Sequence, residues 1–300
     1  MTIAATLIPD LTPGSPEWAA KATASKVAAM LGLSPYESPF QLWHRMRGTI
    51  PWEADNDILR RGHYLEPALR QWFRDQHAGW QVDRTGTWAN IERPWQVASP
   101  DGIILRRNTH RTPLGLLECK TANNEWEWGA PGTDEVPPGY RAQAMWQMDT
   151  LGLRVVHFAV LTPYMEFREY VVEYDAEDAA WVREQVAAFM ASVEAGSPEP
   201  DIDDSEHTYA ALRNLHPAID GSEVELTPAT AVEYLHAVRT KKVADAALTA
   251  ARNAVAQEMG NAARAKFAGI TYATRISKQG GTPYVQTARG LTEKEAKDAA

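Results

Sequence analysis

Residues 99–120, SPDGIILRRNTHRTPLGLLECK, contain two apolar runs separated by a basic, polar turn. The first run covers residues 103–105, the turn covers residues 106–113, and the second run covers residues 114–120. Short apolar runs bounded by turn-forming residues are typical of β-strands. This stretch therefore predicts two strands joined as a hairpin.

Three charged side chains are predicted to meet at one end of this hairpin. Alternate residues of a strand face the same side, so Glu118 and Lys120 share a face while Cys119 points toward a core. Asp101 lies in a Pro-Asp-Gly turn just before the first strand. Each residue alone could be a turn former or part of a weak surface ion pair. Together, two carboxylates beside an ammonium suit a divalent cation with oxygen ligands.

The order of these motifs resembles that of the PD-(D/E)xK nucleases. Pro100-Asp101 followed by Glu118-Cys119-Lys120 matches their signature, which is weak by itself. The ordered set SPDG, LECK and YRAQ (residues 140–143) is more specific and resembles the lambda-exonuclease branch, the YqaJ-like viral recombinase family. The segments TASKV at residues 23–27 and RGHYLE at residues 61–66 also fit, and the similarity spans roughly residues 20–195.

The resemblance implies an α/β fold with a restriction-endonuclease-like core, in which a central mixed sheet is flanked by helices. We assign this core to residues 1–196 and an acidic linker or surface loop to residues 197–226. Residues 227–300 are expected to form a helical C-terminal extension that ends in a β-hairpin.

Periodicity and capping residues predict the individual elements. Helices are expected at residues 25–31, 39–48, 59–78, 138–151, 176–195 and 227–267, the last with a possible break near Gly260. Strands are expected at residues 80–90, 95–98, 155–161 and 168–174, and a hairpin at residues 270–287 around Gln279-Gly280-Gly281. Residues 1–17 contain four breakers and are expected to form an extended arm.

The resemblance also implies a metal site. Asp101 and Glu118 would hold Mg²⁺, with the Cys119 backbone carbonyl as a further ligand. Glu66 would complete the site directly or through water. Pro67 could instead kink the predicted helix or mark its true start, and a helix-start acid favoured by the helix dipole would then explain Glu66 equally well. Two ions per site are expected, the second assisting the leaving 3′-oxygen, and Mn²⁺ is an expected substitute.

The remaining site residues follow from the same resemblance. Lys120 would position or deprotonate the attacking water and balance charge in the transition state, and Gln143 would orient water or phosphate. The residues expected to contact DNA are Ser25, Ser99, Tyr140, Arg141 and Arg61. Residues 122–126 lack the basic residue that the family often has there, which puts 5′-phosphate dependence in doubt. Trp126 and Trp128 in this loop are either packing anchors or base-stacking residues.

Composition restricts the classes of protein that remain. The net charge of −9 argues against a protein that coats DNA, but residues 201–226, with seven acidic residues and one basic residue, account for −6 of it. One cysteine excludes an internal disulfide and a cysteine-based zinc site. With no apolar run long enough for a bilayer and no signal-peptide pattern, we expect no membrane partner and a cytoplasmic location, in a bacterial host if the chain is phage-derived.

The expected function is a Mg²⁺-dependent exonuclease. The resemblance implies 5′→3′ digestion of linear duplex DNA, which produces single strands for phage-type recombination. Expected partners are double-stranded DNA, a single-strand annealing protein and further copies of the chain in a trimeric ring. The open alternatives are a structure- or site-specific endonuclease of the same fold, a non-catalytic DNA-binding or scaffold module, and a structural phage protein.

Overall fold

The computed structural model describes residues 3–53, 57–107, 112–124, 127–278, 280–288 and 291, without the side chains of residues 58 and 59. The chain divides into two compact units, Met1–Ala218 and Ile219–Ala300. Among the described residues, no helix is both long and apolar enough to cross a membrane.

The first unit mixes helices and strands. Its helices are α1 (Pro16–Ala19), α2 (Ala24–Met30), α3 (Pro39–Met46), α4 (Asp57–Gln76), α5 (Pro138–Leu151), α6 (Ala176–Ala195) and α7 (Glu206–Leu215). Its strands are β1 (Ala5–Ile8), β2 (Ala22–Thr23), β3 (Trp80–Asp83), β4 (Thr87–Asn90), β5 (Gln96–Ala98), β6 (Gly102–Arg106), β7 (Pro113–Thr121), β8 (Val155–Leu161) and β9 (Phe167–Glu173). Every helix predicted in this part of the chain is present, with ends shifted by two residues at most.

The predicted hairpin forms the middle of a five-stranded mixed sheet. The described strands follow the order β3-β6-β7-β8-β9, in which only β7 and β8 run parallel. Gly102 pairs with Leu117 across the hairpin, and the turn residues 108–111 lie outside the described residues. Gly102 lies so close to β3 that a Cβ atom would come within 2.7 Å of Val82 Cγ1. The glycine of the SPDG motif therefore permits the strand packing beside Asp101.

Helices cover both faces of this sheet. On one face, α2, α5 and α6 pack over Leu116 and Phe158, which belong to the largest buried cluster. On the other face, α4 packs Leu69 and Phe73 against Ile104 and other strand residues. A mixed sheet buried by helices on both faces confirms the expected fold class.

A second, four-stranded sheet corrects the predicted strand pairing. Residues 80–90 and 95–98 were expected to join the hairpin sheet, but only β3 does so. The described order of the second sheet is β1-β4-β5-β2, in which β1 pairs antiparallel with β4. The predicted extended arm, residues 1–17, thus contains the strand β1 and the first residues of the short helix α1. The strand was missed because β1 has only four residues and its partner is about eighty residues away.

The first unit extends past the domain boundary predicted at residue 196. Inside the predicted linker, α7 buries Ala211 against Phe40 and Ile50. The Thr208 hydroxyl also donates to Ser38 Oγ at 2.7 Å. The prediction of a linker rested on the acidic residues around this helix, and its short apolar face gave too weak a pattern to outweigh them. Residues 217–227 then form an exposed segment without regular secondary structure.

The second unit contains one long helix and a small sheet. Its described elements are α8 (Pro228–Met259), β10 (Arg264–Phe267), β11 (Ile270–Ile276) and β12 (Tyr284–Thr287). The predicted hairpin is confirmed as β11 and β12, although Gln279 lies outside the described residues. Residues 264–267 were expected to be helical but pair with β11, because α8 ends at Gly260 with a positive φ of 51°.

Candidate active site

Asp101 and Cys119 join the two motifs of the hairpin. Asp101 lies in the bend between β5 and β6. Its Oδ2 accepts a hydrogen bond of 2.7 Å from the backbone N–H of Cys119. The Cys119 side chain lies on the α4 face, where burial raises the pKa of its thiol. The PD turn is therefore tied directly to the ExK strand, and Cys119 points toward a core as predicted.

Glu118 is a buried carboxylate with three donors. Its side chain is 6% exposed. Oε1 accepts from Gln143 Nε2 at 2.6 Å and from Lys120 Nζ at 2.8 Å. Oε2 accepts from Gln147 Nε2 at 2.8 Å. A buried charge requires such partners, and here they also fix the orientation of the carboxylate.

The charges of this cluster influence one another. Burial raises the pKa of Asp101 well above its ordinary value, and repulsion from Glu118 raises it further against the attraction of Lys120. Burial would lower the pKa of Lys120, but Glu118, with Tyr140 and Asp101, outweighs it and raises the pKa. The ammonium also lies 4.8 Å from the centre of the Tyr140 ring. Two neighbouring carboxylates that repel each other favour a bound cation.

Glu66 occupies a different place in its helix than predicted. The helix α4 runs unbroken from Asp57 through Pro67, so Glu66 lies in its third turn and not at a helix start. The Arg70 guanidinium pairs with its Oε1. The helix-dipole explanation therefore does not apply, since that effect is confined to the first turn.

Two cavities flank the Glu118–Lys120 pair. We call the first the catalytic cavity; it has a volume of about 320 Å³ and its lining includes Arg61, Glu66, Asp101, Glu118, Lys120 and Tyr140. We call the second the serine cavity; it has a volume of about 370 Å³ and its lining includes Ser25, Ser99, Gln143, Gln147 and Asp10. A larger cavity of about 1060 Å³, lined by Trp52, Trp95 and Met190 among others, lies away from all of these residues. Most predicted site residues thus converge on both sides of Glu118.

Arg141 and the loop tryptophans are placed elsewhere. Arg141 lines neither cavity and instead pairs with Asp134 at 3.2 Å and Asp178 at 3.4 Å. Trp128 is 7% exposed and packs against Tyr140 and Tyr170, so it is a packing anchor. Trp126 lies outside the described residues.

The described site also contains residues that were not predicted, and three of them make contacts that matter here. Gln147 holds the second oxygen of Glu118. Tyr36 and Asn123 line the catalytic cavity, and the Asn123 amide donates to the Tyr36 hydroxyl at 3.1 Å. A sequence signal existed only for Gln147, because it lies one helical turn after Gln143 on a buried face. Tyr36 and Asn123 belong to segments that are far apart in sequence.

The donor set fits Mg²⁺ with two carboxylates. In the described part of the chain, no three His, Cys, Asp or Glu side chains are grouped closely enough to form a metal site alone. Proteins usually hold Mg²⁺ with one or two carboxylates and complete the shell with water and substrate phosphate. Asp101 and Glu118 offer such a pair, and burial together with repulsion from Glu118 raises the pKa of Asp101.

Comparisons with known proteins agree with the motifs. Residues 19–154 match the YqaJ-like viral recombinase domain family. The chain is 25% identical over 216 residues to the uncharacterized protein YqaJ of Bacillus subtilis (strain 168). That match covers 68% of this chain and 63% of the relative, so it spans less than two thirds of the relative's length.

Several solved structures are also similar. The complex of LHK-Exo with dAMP is 24% identical, with a TM-score of 0.49, over 60% of this chain and 91% of that chain. The alkaline exonuclease LHK-Exo from Laribacter hongkongensis is 25% identical, with a TM-score of 0.48, over 61% of this chain and 94% of that chain. A phage-related exonuclease from Haemophilus somnus 129PT is 13% identical, with a TM-score of 0.44, over 58% of this chain and 94% of that chain.

Proposed function

We propose that this chain, whose residues 19–154 carry a YqaJ-like viral recombinase domain, is a metal-dependent deoxyribonuclease. Its proposed reaction is 5′→3′ digestion of linear duplex DNA, which leaves single strands for phage-type recombination. The proposed partners are a single-strand annealing protein and further copies of the chain, and the proposed location is the cytoplasm of a bacterial host.

One observation supports this proposal above the others. Asp101, Glu118 and Lys120, the residues of the PD…ExK motif, line one cavity beside Glu66. Gln143 of the YRAQ motif donates directly to Glu118 at 2.6 Å. A structural protein would gain little from burying two repelling carboxylates, because each buried charge costs free energy of desolvation.

The proposed cofactor is Mg²⁺, with Mn²⁺ as a substitute. Asp101 and Glu118 would hold it, with the Cys119 carbonyl and Glu66 as further oxygen donors. When bound, the metal would polarise the scissile phosphate and lower the pKa of a water molecule. Oxygen donors are the ligands that this ion prefers.

The chain's own residues would orient and stabilise the reacting groups. Gln143 and Gln147 hold both oxygens of Glu118, so this ligand would need little reorganisation during the reaction. The Lys120 ammonium would stabilise negative charge on the attacked phosphate.

The two cavities suggest where a strand would lie. Ser25 and Ser99 line the serine cavity together with Lys120 and Gln143. Arg61 lies at the catalytic cavity and suits a backbone phosphate. We propose that the strand end enters the serine cavity and that the scissile phosphate lies against Lys120.

Two DNA substrates test this proposal. The purified protein is incubated with end-labelled linear duplex and with covalently closed circular DNA, in Mg²⁺ or in chelator. We expect loss of the linear DNA alone, from its 5′ ends, and only in Mg²⁺. Cutting of the circle would establish an endonuclease instead. Binding without cleavage would indicate a binding module, and neither binding nor cleavage would indicate a structural protein.

A further inference from the structure

Three side chains from separate segments meet at the catalytic cavity. Arg61 of α4 donates to Asn123 Oδ1 at 3.1 Å, and the Asn123 amide donates to the Tyr36 hydroxyl at 3.1 Å. Tyr36 lies in the turn after α2, and Asn123 follows β7. All three residues line the cavity that contains Asp101 and Glu118. We call this chain of contacts the mouth bridge.

The Tyr36 side chain has a hydrogen-bonded hydroxyl and an exposed ring. Its hydroxyl accepts a hydrogen bond from the Asn123 amide at 3.1 Å, and Tyr140, whose ring lies beside the Lys120 ammonium, lines the same cavity. The residue nevertheless remains 55% exposed. A tyrosine with a fixed hydroxyl and an exposed ring offers a flat apolar surface whose position is set in advance. The mouth bridge therefore presents an aromatic face next to the catalytic residues.

Among the described residues near the catalytic cavity, the other aromatic side chains do not offer such a face. Trp128 is buried in the core, and Tyr140 is partly buried behind Lys120. Tyr64 is 78% exposed on α4 but does not line the cavity. Among the Phe, Tyr and Trp side chains that line this cavity in the described ranges, Tyr36 is the exposed one.

We propose that Tyr36 stacks on the base of a nucleotide that flanks the scissile phosphate. Arg61 and Asn123, which now bond to each other, would then turn to the phosphate backbone of the same strand. Base stacking tolerates any sequence, because every base has a flat π face, and so it suits a nuclease without sequence preference. This inference rests on the proposed nuclease function, and it names the residue that would contact the substrate base.

Fluorescent DNA tests the inference without relying on cleavage. The duplexes carry the fluorescent base 2-aminopurine at the first or the second nucleotide from the 5′ end. Ca²⁺ replaces Mg²⁺ so that the DNA is not hydrolysed during the measurement. We expect the wild-type protein and Tyr36→Phe to quench one of these probes by stacking. Tyr36→Ala should lose the quenching and bind about tenfold more weakly, within the range measured for one stacked base.

Matched variants distinguish stacking from other effects. Tyr64 belongs to α4, the helix that also carries Arg61, and is more exposed than Tyr36. Tyr64→Ala should behave like the wild type. Tyr36→Trp keeps a flat ring and should retain the quenching, so the test does not depend on the folding of Tyr36→Ala.

Three outcomes would overturn the inference. In the first, the wild-type protein cleaves DNA in Mg²⁺, but Tyr36→Ala quenches the probe and binds DNA as well as the wild type does. The proposed nuclease function would then hold without the stacking role of Tyr36. In the second, Tyr36→Phe or Tyr36→Trp loses as much as Tyr36→Ala, which shows that the hydroxyl or the turn matters and not the ring face. In the third, the wild-type protein neither binds nor cleaves DNA, and the proposed function fails together with the inference.

Discussion

At the scale of single residues, Glu118 shows how a buried charge can be made compatible with a stable fold. Two glutamine amides and one ammonium satisfy its two oxygens. Burying such a group without partners would cost several kcal/mol. Because two of its three donors are neutral, Glu118 keeps hydrogen bonds even when Lys120 is removed. Removal of the Lys120 ammonium should therefore leave the fold intact but impair catalysis.

Lys120→Ala should abolish cleavage and leave the fold intact. The variant loses the positive charge that would stabilise the transition state, while Gln143 and Gln147 still hold Glu118. We expect at least a hundredfold lower cleavage of end-labelled duplex, with an unchanged circular dichroism spectrum. Lys241→Ala is the control, since it removes the lysine of an exposed pair with Asp245. Undiminished cleavage by Lys120→Ala would remove this residue from the mechanism.

Glu66→Gln should lower cleavage more than tenfold. Glu66 lies in the catalytic cavity near Asp101, and its place in the third turn of α4 leaves no helix-start role. Cleavage is measured over a range of Mg²⁺ concentrations, and we expect the variant to need more metal. Asp75→Asn is the control, because Asp75 is a second acid of α4 that lies outside the cavity and bonds Gln71. A change below twofold would place Glu66 outside the metal site.

At the scale of elements, one carboxylate ties the end of α5 to its neighbours. Asp149 accepts from Arg183 Nη1 of α6 at 2.7 Å and from Gln96 Nε2 of β5 at 2.9 Å. It also accepts from the Tyr174 hydroxyl at 3.0 Å and pairs with Arg93 at 3.3 Å. These bonds hold the helix that carries Gln143 and Gln147 against both sheets. The position of α5, and with it the orientation of Glu118, depends on this junction.

Asp149→Asn should destabilise the protein by about 3 kcal/mol near neutral pH. Burial would raise the pKa of Asp149, but the bonds from Gln96 and Arg183 outweigh it and lower the pKa. A lowered pKa means that the stabilisation is complete above the unfolded value near 3.8 and is lost as the pH falls through the folded value.

Denaturant unfolding of both proteins from pH 7 to pH 3 measures this difference. We expect it to stay constant down to about pH 4 and to shrink below that. Asp178→Asn is the control; it removes one exposed partner of Arg141 and should change stability by less than about 1 kcal/mol. A difference that stays equally large at pH 3 would contradict the role of the Asp149 charge.

At the scale of the whole molecule, the two units have very unequal cores. The first unit buries a large cluster that includes Trp146, Phe158 and Tyr170. The described core of the second unit has only three buried residues, Met259, Ala273 and Val285. Apolar burial is the main source of folding free energy. The first unit therefore has the core of an independent domain and the second does not.

Limited proteolysis with an enzyme that cuts after glutamate should separate the units. Glu223 and Glu225 lie in the exposed segment between α7 and α8, which lacks regular secondary structure. We expect an early, stable fragment that ends near residue 225 and unfolds cooperatively. The excised second unit should show no cooperative thermal transition. Early cutting inside the first unit, or loss of cooperativity once residues 226–300 are removed, would contradict this division.

The local pattern of the sequence determined much of this protein. The helices α3 to α6 and the hairpin of β6 and β7 follow from periodicity, caps and breakers, which act over a few residues. The strand period alone placed Glu118 and Lys120 on one face and Cys119 on the other. The ordered motifs predicted a resemblance to the YqaJ-like viral recombinase family, whose model residues 19–154 match, and they named most residues that converge on the cavities.

Only the tertiary structure decided what depends on contacts between distant segments. It assigned β4 and β5 to a second sheet, placed Glu66 within an unbroken helix and turned Arg141 toward two aspartates. It also brought Tyr36 and Asn123, which are 87 residues apart, to one cavity. Periodicity determines which way a side chain faces on its own element. Which elements become neighbours is determined by how the whole chain buries its apolar surface, and no local pattern carries that information.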